Sequence, residues 1–309
     1  MKMAIGIGMT AVLLAVAAGW LWTPDKDRAL LEARYATAPT DFITVGGVRL
    51  HVRDTGPRDA AAVIMLHGLG ASLHTWESLA AGLSTTGRVV RYDLPGAGLT
   101  GVDPTGDYAD ERGMEVLLAL MDGLGLARAS LLGHSMGGRL AWRFAAHHGD
   151  RIDKLVLIAP DGFASPGFAY GKPPEVPATM QLMKYVLPRP LLRMGLAPAY
   201  ADSAALTDAL VARYHDLLLV PGVRGAMIAR MEQSVLQDPV PILATIEAPT
   251  LLVWGDADAM IPIANAADYV AALPSATLVT LPGVGHIPQE EAPAKVLAVV
   301  GDFLGMGRN

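Results

Sequence analysis

Ser135 stands in "ASLLGHSMGGRL", residues 129–140, flanked two residues away on each side by Gly133 and Gly137. That spacing suits a sharp turn in which only small neighbours can approach the serine and its hydroxyl is held clear of the backbone. Such a hydroxyl could attack a carbonyl carbon. It would need a base to take its proton, an acid to orient the base and donors for the oxyanion that forms. Residue types able to fill these parts recur in three other turns: "HGLG" at 67–70, "WGDAD" at 254–258 with Asp256 and Asp258, and "GVGHIPQEEAP" with His286.

The elements that must bring these turns together can be read from the hydrophobic pattern. "FITVGGVRLHVRDTG" predicts two strands around Gly46-Gly47, and "AAVIMLHG" is a near-continuous apolar run, as in a strand buried on both faces. Helical and strand patterns then alternate: a helix near 74–85, "RVVRYDLPG", a helix near 108–124, "ASLLGHS", a helix over 136–149 and "DKLVLIAP". Strands separated by helices predict a doubly wound, mostly parallel sheet, here of eight strands. From 161 to 240 the alternation gives way to Pro-punctuated helical pieces rich in Met and Leu, read as a helical lid inserted into the core. Sheet pattern returns with "PTLLVWGDAD", a helix near 262–272, "ATLVTLPG" and a last helix from Ala292. The expected division is therefore linker and short helix at 24–40, core at 41–160, lid at 161–240 and core again at 241–309. Each chemistry-bearing turn then follows a strand, and open parallel sheets bind ligands at the carboxyl ends of their strands.

With 309 residues and 52% hydrophobic content the chain can bury a large core, and a net charge of -6 without a basic run gives no reason to expect nucleic acid. There is no cysteine, which rules out thiolate catalysis and disulfides. No spacing of His, Asp or Glu points to a metal, and no cofactor is expected. From Ala4 to Trp22 the chain runs for 19 residues without a charge. As a helix that is about 28 Å, nearly the thickness of a hydrocarbon core. It is read as a transmembrane anchor over 1–23, with Trp20 and Trp22 at the interface and the catalytic part on the extracytoplasmic side; cleavage as a signal peptide and a helix docked on the globular part are the alternatives. Asp25 to Arg28 is read as a solvated charge cluster.

The signposts together, His67-Gly68, Trp76, "DLPGAG" at 93–98, "GHSMGG" at 133–138, "WGDADAMIP" at 254–262, "GH" at 285–286 and Glu291-x-Pro293, resemble the α/β-hydrolases of the lidded esterase and lipase group. The resemblance covers the chain after residue 40. It implies Ser135 as nucleophile, His286 as base and Asp258 as orienting acid, in the chain order Ser, Asp, His. Asp256 and Asp161 are the other acids to weigh. It further implies an oxyanion hole from the backbone N–H groups of Leu69 and Met136. His67 is expected to hydrogen-bond within its turn, and His134 to line the pocket. Met180 and Met183 are named as substrate contacts in the lid.

The activity this implies is hydrolysis of apolar carboxylic esters with short to medium acyl chains. Carbon–carbon bond hydrolysis, perhydrolysis or a ligand-binding receptor retaining the triad are the alternatives, and the oligomeric state is unreadable. Related dehalogenases and epoxide hydrolases carry Asp at the nucleophile position, so Ser135 argues against both.

Overall fold

The computed structural model describes residues 21–164 and 169–307. Eight strands are present: β1 (Phe42–Val45), β2 (Val48–Thr55), β3 (Ala62–Leu66), β4 (Arg88–Tyr92), β5 (Ala129–His134), β6 (Ile152–Ile158), β7 (Thr250–Gly255) and β8 (Ala276–Leu281). They form one sheet in the order β1-β2-β4-β3-β5-β6-β7-β8. The β1–β2 hairpin and the β2–β4 pairing are antiparallel, and every later pairing is parallel.

The central strands show why their sequence is apolar throughout. In β3, Val63 and Met65 face one core while Ile64 and Leu66 face the other; in β6, Leu155 and Leu157 alternate in the same way with Val156 and Ile158. Side chains of a strand point alternately to its two faces, so helices on both faces demand apolar residues at every position. One face is covered by the helices Asp110–Gly123, Met136–His147 and Ala264–Ala272, which bring Val116, Phe144 and Tyr269 to the core. Trp76 at the end of the turn Leu73–Trp76, with Leu79 and Leu83 of helix Glu77–Leu83 and Val296 and Val300 of helix Pro293–Leu304, covers the other. This is the doubly wound, mostly parallel architecture expected from the pattern.

The order in which strands are added reverses at β3: β4 lies on one side of it and β5, β6 and β7 follow on the other. The crevice at such a switch point opens at the carboxyl ends of the strands. There Leu66 of β3 pairs with Gly133 of β5, which sets the turn after His67 beside the turn that carries Ser135.

Between β6 and β7 the described residues form helices only, among them Arg189–Leu196, Asp208–Leu218 and Val223–Gln233. Leu192, Tyr214, Leu217 and Met227 of this segment share a cluster with Leu31, Ala71 and Leu99.

The N-terminal expectations are corrected. Among the described residues no helix is long and apolar enough to cross a membrane. The run from Ala4 to Trp20 lies outside the described residues, and the membrane-anchored, extracytoplasmic placement built on it is not carried forward. Trp22, read as an interfacial residue, instead stacks on Tyr185 with ring centroids 5.6 Å apart, and the Thr23 N–H donates to the Tyr185 carbonyl at 2.8 Å. Asp25 to Arg28 are exposed or half-exposed, as read, but their charges are paired. Asp25 accepts from Arg224 at 2.7 Å, Lys26 donates to Asp216 at 2.6 Å, and Asp27 caps helix Arg28–Tyr35 by accepting from the N–H groups of Ala29 and Leu30. Buried Arg224 and Asp216 on the inserted helices recruit Asp25 and Lys26, a cause invisible in the local sequence.

Candidate active site

Ser135 links β5 to helix Met136–His147 with φ 52° and ψ -121°, a strained conformation for a residue with a side chain. The surroundings over-determine it. Its N–H donates to the Ile158 carbonyl at 3.0 Å, and its own carbonyl accepts from the N–H groups of Arg139 and Asp161 at 3.0 and 3.1 Å. Neighbouring glycines permit the approach: a Cβ on Gly133 would lie 2.4 Å from the Gly137 carbonyl oxygen, and one on Gly137 would lie 2.3 Å from that of Leu66. The tight turn is thus a packing requirement as well as a chemical one.

His286 follows β8 and is buried. Its Nδ1 lies 2.8 Å from Asp258 Oδ2, with the Asp258 side chain fully shielded from solvent. The other oxygen of Asp258 accepts from the N–H groups of Met260 and Ile261 at 2.8 and 2.9 Å. Three donors therefore hold one carboxylate as an acceptor. Asp256 turns elsewhere: it is exposed and accepts from the Gly283 N–H at 2.7 Å. Asp161 is engaged by Arg139 at 2.7 Å. Of the three acids weighed, Asp258 is the one bonded to His286.

Ser135 and His286 line one cavity of about 210 Å³. Leu69 and Met136 line the same cavity, and neither spends its N–H on a backbone hydrogen bond. As first residue of its helix, Met136 has no intrahelical acceptor for that group. The lining also includes Pro174, Arg230, Met231 and Ser234 from the segment between β6 and β7, with Met260 and Ile261 from the loop after β7. The arrangement can place an electrophilic carbon near a hydroxyl, an imidazole and two unspent N–H donors.

A family model for the alpha/beta hydrolase fold matches residues 61–293. The chain belongs to the α/β-hydrolase family. Among its relatives is the 2-hydroxy-6-oxononadienedioate/2-hydroxy-6-oxononatrienedioate hydrolase of Cupriavidus pinatubonensis, 30% identical over 90% of this chain and 99% of that protein. Similar solved structures include the enol-lactonase of Burkholderia xenovorans, with a TM-score of 0.73 and 28% identity, covering 85% of this chain and 99% of the other. A membrane phospholipase A described as a bacterial virulence factor matches with a TM-score of 0.74 and 25% identity over 100% of both chains.

Three expected substrate contacts are corrected within this α/β-hydrolase. His134 does not line the cavity: it is buried behind it, and its Nε2 lies 2.7 Å from the His286 carbonyl oxygen. Burial holds its imidazole well below the usual histidine range, so it is neutral and donates through Nε2. Met180 and Met183 are also absent from the cavity wall, and Met183 packs in the cluster with Leu217. Composition alone cannot say which methionines turn inward. Met136, Met231 and Met260 do so, together with Arg139 and Arg230, whose positions on helices gave no sequence signal. His67 keeps to its turn as expected, with Nδ1 2.8 Å from the Gly68 carbonyl and Nε2 accepting from the Leu94 N–H at 3.0 Å.

Proposed function

We propose that this α/β-hydrolase is a serine hydrolase cleaving carboxylic esters with an apolar acyl group. The observation that carries the reading is the pairing of His286 with Asp258 at the rim of the cavity that holds Ser135. Ser135 Oγ attacks the carbonyl carbon while His286 Nε2 takes the hydroxyl proton. Asp258 keeps the proton on Nδ1 and stabilises the imidazolium. The N–H groups of Leu69 and Met136 receive the oxyanion, each such donor being worth roughly 3 kcal/mol in the transition state. When the tetrahedral species collapses, the alkoxide leaves with the proton from His286. Water, deprotonated by the same imidazole, then releases the acid and restores Ser135. Met231, Met260 and Ile261 supply apolar wall for the acyl chain, and the likeness to a phospholipase A over the whole length of both chains agrees with an ester substrate.

Carbon–carbon bond hydrolysis is the second reading, and the likeness to an oxo-dienoate hydrolase at 30% identity favours it. The same groups would serve, with His286 returning the proton to a carbon leaving group. Purified protein is to be assayed on 4-nitrophenyl esters from acetate to octanoate and on a 2-hydroxy-6-oxo-dienoate. Turnover of the esters with a chain-length optimum supports the first reading; turnover of the dienoate alone replaces it with the second. Stoichiometric fluorophosphonate labelling without turnover of either favours a receptor.

A further inference from the structure

Two arginines face the cavity, and their charges are treated differently. Arg139 is neutralised on both sides, by Asp110 at 3.0 Å and Asp161 at 2.7 Å. Arg230, equally buried, spends Nη1 on the Tyr108 carbonyl at 3.1 Å and Nη2 on the Pro95 carbonyl at 2.5 Å. Among the described residues it forms no ion pair. Asp110, whose charge reaches it from further off, is already shared by Arg139 and Arg143. Carbonyl dipoles hold the guanidinium in place without cancelling its charge. A buried cation without a counter-ion is costly, and the cost falls when an anion joins it.

We propose that Arg230 is an anion subsite, so that the substrate carries a carboxylate or phosphate group as well as the carbonyl that Ser135 attacks. This deepens the proposed function and rests on it. Arg230 borders the main cavity and also a small hollow of about 10 Å³ beside Gly68, Gly96 and Met227. Burial lowers its pKa to about 10, which leaves it cationic at neutral pH. Its planar fork matches a carboxylate or phosphate with two oxygens toward it. An amphiphilic substrate, apolar along one part and anionic on another, fits a lining that combines Met231 and Ile261 with a guanidinium held by two carbonyls and the Tyr108 ring but given no counter-charge.

The test measures protection of Ser135 from a fluorophosphonate by matched pairs: hexanoate against hexanamide for the carboxylate, hexyl phosphate against hexanol for the phosphate. At least one anion is expected to protect wild type at about tenfold lower concentration than its neutral partner. Whichever pair shows the advantage identifies the group. Arg230→Gln is expected to abolish it and Arg230→Lys to keep part of it. Equal protection by both members of both pairs overturns the proposal, as does an advantage that persists in Arg230→Gln. Should that variant fail to fold, Arg230→Lys decides, because an undiminished advantage there overturns the subsite too. The same pairs are compared by thermal stabilisation of Ser135→Ala, which needs no working nucleophile. Failed labelling then counts against the hydrolase reading alone, while the anion-dependent shift still decides the subsite.

Discussion

Asp258 and His286 come from turns 28 residues apart, and Asp258 reaches the His286 ring with one oxygen at 2.8 Å while its other oxygen is pinned by two backbone N–H groups. The carboxylate is therefore oriented before the imidazole meets it. Any substitution that keeps shape but reverses a donor should be felt in rate rather than in folding. Asp258→Asn presents an amide that can donate to the ring and favour the wrong tautomer. Its kcat/KM should fall by about 10³- to 10⁴-fold on the best substrate, and that of Ser135→Ala by about 10⁶-fold. Asp256→Asn, altering only a contact with the Gly283 N–H, should stay within about threefold of wild type. Steady-state kinetics of the three variants check this, and equal losses at both aspartates would remove Asp258 from the role.

His134 acts on the site from behind. Replacing it with Leu removes the donor to the His286 carbonyl and leaves that oxygen without this partner. A lost buried hydrogen bond costs about 1 kcal/mol, and the positional error should lower kcat by roughly tenfold with little change in KM. Equal kcat for His134→Leu and wild type would show that the contact does not position the imidazole.

Buried histidines give the fold a pH dependence of known sign. Burial lowers the pKa of His67, His134 and His215, and lowers that of His74 to about 4. In the unfolded chain each titrates near 6.5. Below that value the unfolded chain binds protons that the native state refuses, so stability is complete above about pH 6.5 and is lost as pH falls toward the native values. Each histidine adds up to about 1.4 kcal/mol per pH unit. Urea midpoints measured from pH 7 to pH 5 should fall steeply, and His134→Gln should flatten the slope.

Gly137 sits where its Cβ would strike two carbonyl oxygens, those of Leu66 and His67, at 2.3 and 2.5 Å. Backbone cannot step aside as a side chain can. Gly137→Ala should cost about 3 kcal/mol or prevent folding, whereas Gly149→Ala, with nothing within 4 Å, should be tolerated. Chemical denaturation of the pair checks the contrast.

Asp216 is a fully shielded carboxylate that collects Lys26 at 2.6 Å, Arg34 at 2.8 Å and the Tyr35 hydroxyl at 2.8 Å. It ties the N-terminal helix to the helices between β6 and β7. Asp216→Ala removes three hydrogen bonds but leaves Lys26 and Arg34 half-exposed to water, so it should cost about 1–3 kcal/mol. Thermal unfolding would show the loss, and a variant as stable as wild type would show that the contact is idle.

Much of the architecture was legible because it depends on local pattern. Continuous apolar runs such as "AAVIML" announce strands buried on both faces, and the alternation with helical segments implies a parallel sheet. The chemical turns were legible for a related reason: glycines and a serine at fixed offsets meet a local backbone demand at Ser135. Reading the 25–28 stretch as solvated missed its pairing because Asp25 and Lys26 find partners roughly 190 residues onward, at Arg224 and Asp216.

Sequence by itself determined the strand order of events along the chain, the elbow at Ser135 and the presence of a histidine and acids after later strands. Only the tertiary structure decided that Asp258, not Asp256 or Asp161, meets His286, that His134 lies behind the cavity, and that Arg230 reaches it without a counter-ion. The physical reason is one of range. Backbone turns and strand periodicity are set by neighbours within a few residues, whereas the partner of a charge is whichever group the packing of distant elements brings within about 3 Å.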